Sequence, residues 1–282
     1  MRAVFLTTLA LGLLLTAQPG AQQGRTPRAQ PAPRSQAARP QPARPRTEPA
    51  VPFRVGETLT YDVAWSRYLV AGSAVSRVVE KRPSYNSTAY YIVAEGRPLP
   101  LIARIYALYY KMDSLLDSYT ALSQRSSVYA EEGASRRLST TLFNRAAQKA
   151  QFEMRADTTV KDEFTVPQNV QDGLATLYSL RGHAFKAGDR LTVPVADEGS
   201  LYTANFEVRG PEPVRVPLGE VQAWNLRVTI LNAMREPVGN NIGAWISTDA
   251  RRLPVKLEAE LPVGTFGLTL RTVEHAAATG QN

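Results

Sequence analysis

The sequence predicts a mainly β fold: a strongly curved antiparallel sheet or partly open barrel, with one or two short helices. Three observations carry this prediction. Apolar and polar residues alternate with a period of two in segment after segment, while apolar residues at helical spacing are confined to two short stretches. In one segment the alternation changes phase, the mark of a bulge that lets a sheet bend.

Taken in order, Leu59, Tyr61, Val63 and Trp65 share one face of a first strand, with Thr58, Thr60 and Asp62 on the other. Ile102, Ile105, Tyr106 and Tyr109 fit a helix, whereas Tyr106, Leu108, Tyr110, Met112 and Leu116 fit a strand, so a short helix running into a strand is expected. Val170, Leu174, Leu177 and Tyr178 place a second helix over 170–180, with Asn169 as its cap, Asp172 in its first turn and Gly182 as its terminator. Leu191, Val193 and Val195, the turn cluster Asp197-Glu198-Gly199, and Tyr202, Ala204, Phe206 and Val208 read as a hairpin. Val221 and Ala223 are apolar on odd positions, but Trp224, Leu226, Val228 and Ile230 on even ones, which places the bulge near Ala223. A second hairpin joins the strand of Val255, Leu257, Ala259 and Leu261 to that of Phe266, Leu268 and Leu270. About a dozen strands are expected in all.

These elements fill residues 51–273, read as a single β-rich domain ahead of a flexible tail at 274–282. Residues 1–21 read as a signal peptide: Arg2 precedes an apolar run from Ala3 to Leu15, and small residues, Ala17 and Ala21 among them, follow it. Residues 22–50 are built mainly from Ala, Pro, Gln and Arg with almost no aliphatic side chain larger than alanine, too little apolar area to offset the entropy of ordering, so a disordered linker is expected. The chain holds no cysteine. Attachment to lipid through a cysteine is therefore excluded, and the domain must stand on its core without disulfides. The expected location is the periplasm or cell envelope.

The net charge is +8. Arg2 and six linker arginines, set against Glu48, leave residues 51–282 at only +2. A nearly neutral folded part, and a linker without aromatics among its arginines, argue against a nucleic-acid partner. The linker arginines suit a spacer, or a tether to anionic envelope polymer or lipid head groups.

Catalytic chemistry finds little purchase. The two histidines, His183 and His275, sit in no metal-binding spacing, no cofactor motif is present, and no nucleophile motif appears. Asp113 and Asp117 are the one carboxylate pair suited to hydrolysis of a glycan, a distant alternative to ordinary strand-face charges. The chain is therefore expected not to be an enzyme. The tyrosines around positions 90 and 110 are the feature that suggests binding. Trp65, Tyr91, Tyr106, Tyr109 and Tyr110 are the candidate contacts of a lipid or other hydrophobic ligand, against the alternative of ordinary core and rim packing.

Several landmarks resemble one family. Phe53-Arg54-Val55-Gly56-Glu57 leading to Tyr61, and then Ala71-Gly72, resemble the opening of the bacterial domain of unknown function 3108. Asp172-Gly173-Leu174 with Tyr178, Arg181 and Ala187-Gly188-Asp189 resemble its centre. Pro217-Leu218-Gly219 and Trp245-Ile246-Ser247-Thr248-Asp249 running to Leu253-Pro254-Val255 resemble its last third. The resemblance implies an exported bacterial domain with no catalytic residues to carry over. It also implies an architecture similar to periplasmic lipoprotein carriers, a curved antiparallel sheet partly closed by helices. Two readings of function follow, a binder of a hydrophobic ligand or partner segment and a filled-core interaction module tethered by its tail.

Overall fold

A computed structural model of the chain describes residues 46–65, 69–104, 107–261 and 264–275. The expected signal peptide and all but the end of the linker lie outside these residues. Strands β1 (Glu57–Trp65), β2 (Leu69–Ser84) and β3 (Ser87–Pro98) lead through the one-turn helix α1 (Pro100–Ala103) to β4 (Leu108–Asp117). Then come β5 (Ser123–Glu132), β6 (Ser135–Asn144), β7 (Lys149–Arg155), β8 (Thr159–Thr165) and helix α2 (Gly173–Arg181). β9 (Arg190–Asp197), β10 (Ser200–Val216), β11 (Gly219–Leu231), β12 (Asn240–Ser247), β13 (Pro254–Leu261) and β14 (Gly264–His275) complete the order.

The fourteen strands form one antiparallel sheet in which neighbours in sequence pair, except that β1 pairs with β14. The two ends of the folded chain therefore meet mid-sheet, and the edges are β8 and β9. Tight turns set the register: Tyr85 and Asn86, both at positive φ, close β2 onto β3, and Glu198-Gly199 do the same for β9 and β10. Both expected hairpins are present, as β9–β10 and β13–β14. Six of the thirteen ladders carry register shifts, and each added residue sharpens the bend of the sheet.

The edges are not joined by a backbone ladder. Apolar side chains seal them instead: Ala150 and Phe164 from the β8 side meet Val166, Val170, Ala196 and Leu201. Arg137 on β6 reaches Glu198 in the β9–β10 turn at 3.3 Å. Gln171 lies beside β9, its N–H donating to Pro194 and its carbonyl accepting from Ala196. The result is a half-closed barrel.

Two expectations need correction. α2 starts at Gly173, and its cap is Asp172, whose carboxylate accepts the Ala175 N–H at 2.8 Å, rather than Asn169. Gln171 stays out of the helix because it has β9 to bond, and the Val170 N–H closes a turn onto the Pro167 carbonyl. The bulge lies not in β11 near Ala223 but opposite it, on β10, where Arg209 is the extra residue between Val208 and Gly210. β11 changes phase because it serves two cores. Leu226 and Val228 pack with Leu180 and Phe185 beside α2, while Ala223 joins Val214, Leu253 and Leu270 in a second cluster. The short helix expected to run into a strand is the single turn of α1 ahead of β4, and Ile105 and Tyr106 lie outside the described residues.

Candidate functional site

The inner face of the sheet is the one that carries α2. Leu174, Ala175 and Tyr178 of the helix pack with Phe53, Val78, Ile92 and Leu116. Strand register extends this face residue by residue across β3 to β8. The row of Ile92, Ser114, Ser126, Thr141 and Phe152 starts beside the helix, where Ile92 packs on it and Ser114 bonds its cap, and ends with Phe152 beside Gly199 of the β9–β10 turn. One step further from α2, Ala94, Met112, Val128, Ser139, Met154 and Val160 stand side by side across six strands.

That second row is apolar but for Ser139, and it is not fully covered. Met112 is 40% exposed and Val160 45%, with Val128 and Met154 half-buried. Two of the chain's four methionines lie in it. Methionine is flexible and polarisable, suited to surfaces that repack around different apolar shapes. The arrangement is an open apolar strip beside a packed core.

The packed half is held by buried polar groups. Asp172 is buried, and its carboxylate accepts from Ser114 Oγ at 2.7 Å and from Ser123 Oγ. Burial pushes its carboxyl above the usual range, against the opposing pull of those bonds and the Ala175 N–H. At the other end of α2, Arg181 is wholly buried against Glu57, the first residue of β1. Phe53 and Tyr178 flank the guanidinium, with ring centroids 5.4 and 5.1 Å away.

The expected contact residues do not line one cavity. Successive residues of a strand point to opposite faces, and the register divides the tyrosines accordingly. Tyr91 and Tyr109 lie on the outer face, under Arg82 and Arg97 at 4.4 and 4.8 Å respectively. Tyr110 is on the inner face, between Gly96 and Ala130. Trp65 sits at the end of β1, half exposed and stacked on Phe266 with centroids 6.0 Å apart. Tyr106 lies outside the described residues. The strip of Met112 and its neighbours escaped sequence reasoning, although Met112 had been placed on a strand, because it is assembled across strands whose pairing the sequence does not state.

The glycan-hydrolysing pair is not assembled. Four residues of strand put the Cα atoms of Asp113 and Asp117 about 13 Å apart at ~3.3 Å per residue. Asp113 is bound to Arg125 at 2.6 Å, while Asp117 accepts from the Tyr119 and Thr120 N–H groups and from Gln124. A cleft of about 660 Å³ opens on the outer face over β6 to β8. Among its charges Lys161 pairs with Glu153 at 3.1 Å, and Glu163 pairs with neighbouring Lys149 at 3.7 Å. Among the described residues no three His, Cys, Asp or Glu side chains are grouped to hold a metal ion.

Residues 60–271 match the protein family of unknown function DUF3108. The chain belongs to that family. Its resemblance residues prove to be neighbours in space: Phe53, Glu57, Tyr178 and Arg181 form the clamp at the end of α2, and the carbonyls of Arg251 and Arg252, just before Leu253, accept from Arg181. Among solved structures, this DUF3108 chain is similar to a β-barrel-like protein of the domain of unknown function DUF1849 from Brucella abortus. The TM-score is 0.52 and the identity 10%, over 79% of this chain and 99% of that one, a likeness of fold. A Bacteroides fragilis protein described as exported and of YmcC-like fold aligns at 14% identity and a TM-score of 0.33, over 79% of this chain and 98% of that one. No curated protein matches. None of these families carries a named enzymatic activity.

Proposed function

We propose that the protein is exported to the bacterial envelope and there holds a hydrophobic ligand, or an apolar segment of a partner, on the inner face of its half-closed barrel, without chemistry. The observation that carries this reading is the row from Met112 to Val160, apolar and partly open where neighbouring Val78, Ile92 and Leu116 are packed against α2. A row with one hydroxyl and no charge favours acyl chains or aliphatic side chains over polar ligands. The signal-like start of the chain and its lack of cysteine support an exported protein without a lipid anchor. The linker arginines serve as a tether to anionic polymer or head groups.

Native mass spectrometry of protein purified from its own host tests the reading. Lipid mass retained on the folded protein and lost on unfolding is the expected result. A clean apoprotein mass, with no uptake of added fatty acid or phospholipid, would leave the filled-core interaction module as the better account.

A further inference from the structure

The end of the sheet remote from the Phe53–Arg181 clamp gathers large apolar side chains that the core does not use. Leu101 is 72% exposed, Leu69 59% and Trp65 50%, with Leu99, Val70 and Leu108 between 37% and 40%. These six stand at adjoining ends of β1 to β4. Trp65 pairs with Leu69 across β1 and β2, and the Leu99 N–H donates to the Ala71 carbonyl at 2.8 Å. That bond ties the α1 loop to the same strand end. α1 itself has no fully buried residue: Ile102 is half-buried, while Pro100, Leu101 and Ala103 are exposed at the rim. Arg97 and Arg104, both exposed, bracket the apolar turn. Arg97 lies over Tyr109, whose phenol is only half buried, and its guanidinium stands 3.5 Å from Glu95 while two-thirds exposed to solvent.

Apolar groups projecting beyond a ring of arginine and tyrosine match the layering of a bilayer surface, where acyl chains give way to head groups. The charge also selects among occupants. Phosphate head groups supply the opposite charge.

We infer that this rim docks the protein on an anionic lipid bilayer, with Leu69 and Leu101 entering the acyl region and Arg97 and Arg104 contacting phosphates. The rim is separate from the linker: Glu48, at the linker's end, is bound to Lys81 and Ser118 at the opposite ends of β2 and β4. The inference does not depend on a ligand occupying the inner strip.

The test uses the full chain with Arg25, Arg28, Arg34, Arg39, Arg44 and Arg46 replaced by glutamine, so that linker charge is silent. Flotation with phosphatidylglycerol vesicles, and much weaker flotation with phosphatidylcholine vesicles, is expected. Adding Leu69→Ser and Leu101→Asp is expected to lower binding at least about tenfold, since both side chains are taken from water only when the rim is docked. Circular dichroism and melting temperature should be unchanged, because neither residue belongs to the core. With Trp224→Phe and Trp245→Phe also in place, Trp65 emission should shift to the blue and be quenched by brominated acyl chains. Equal binding by parent and rim variant would overturn the inference, as would failure of the linker-neutral chain to float. A parent that elutes as a dimer and a rim variant that elutes as a monomer would assign the rim to a second copy instead. Native mass spectra of the same variants separate the two readings: loss of docking with retained lipid bears on the rim alone, and absence of lipid from every variant bears on the inner strip alone.

Discussion

The guanidinium of Arg181 meets the carboxylate of Glu57 side by side, Nη1 2.5 Å from Oε1 and Nη2 2.9 Å from Oε2, with both side chains out of water. The contact joins the last residue of α2 to the first of β1. The guanidinium's remaining reach is spent on the carbonyls of Arg251 and Arg252, both at 3.1 Å. A charge this deeply placed is tolerable only while its partner is present.

Removing one partner should therefore cost more than removing both. Arg181→Met leaves Glu57 buried and unpaired, at an expected loss of about 3–5 kcal/mol in urea unfolding. Glu57→Met should cost a similar amount. The double variant is expected to be more stable than either single one, and a double variant that simply adds the two losses would refute the pairing.

Stability should fall in alkali. Burial raises the phenol of Tyr178 from 10.0 to about 12, against the bond to Ser76, and holds that of Tyr61 well above its ordinary value. Above pH 10 the unfolded chain sheds these protons while the folded chain keeps them, so stability declines as pH rises, for Tyr178 up to about 12. The slope expected is ~1.4 kcal/mol per pH unit for each tyrosine. Tyr178→Phe should flatten it, at a cost near neutrality of about 1 kcal/mol for the lost hydrogen bond. Unfolding free energies across this pH range make the comparison.

Gly72→Ala should loosen the β2–β3 pairing. A Cβ at this position would run into the carbonyl oxygen of Arg97, which is backbone and cannot swing away. The expected destabilisation is about 2–3 kcal/mol. Hydrogen exchange should show it first at Leu99, whose N–H is bonded to neighbouring Ala71.

Met112→Glu should empty the inner strip without unfolding the protein. At 40% exposure the carboxylate keeps much of its water, so the stability change should stay within about 1 kcal/mol. Retained lipid mass should be lost. A variant that retains lipid as the parent does would place the ligand elsewhere.

Much of the sheet was legible because single strands carry their own signal. The alternation in Tyr202–Val208 and the Asp197-Glu198-Gly199 turn suffice to specify β9 and β10. What depends on a neighbour was not legible. Arg209 looks like any strand residue, and only β11 beside it makes it a bulge. Asn169 and Asp172 are both good caps, and the choice was made by Gln171 bonding to β9. Tyr109 and Tyr110 were read together for their chemistry, but a strand separates them by one residue and therefore by a whole sheet.

The pairing of β1 with β14 has a consequence for how the chain acquires its shape. The first and last strands to leave the ribosome are partners at the centre of the sheet. Until β14 emerges, β1 keeps an open flank, and the cluster of Leu59, Tyr61 and Leu270 cannot form. Thirteen of the described strands can be synthesised before this pairing can form, so β1–β8 and β9–β13 stay two separate halves until synthesis of the domain is nearly complete.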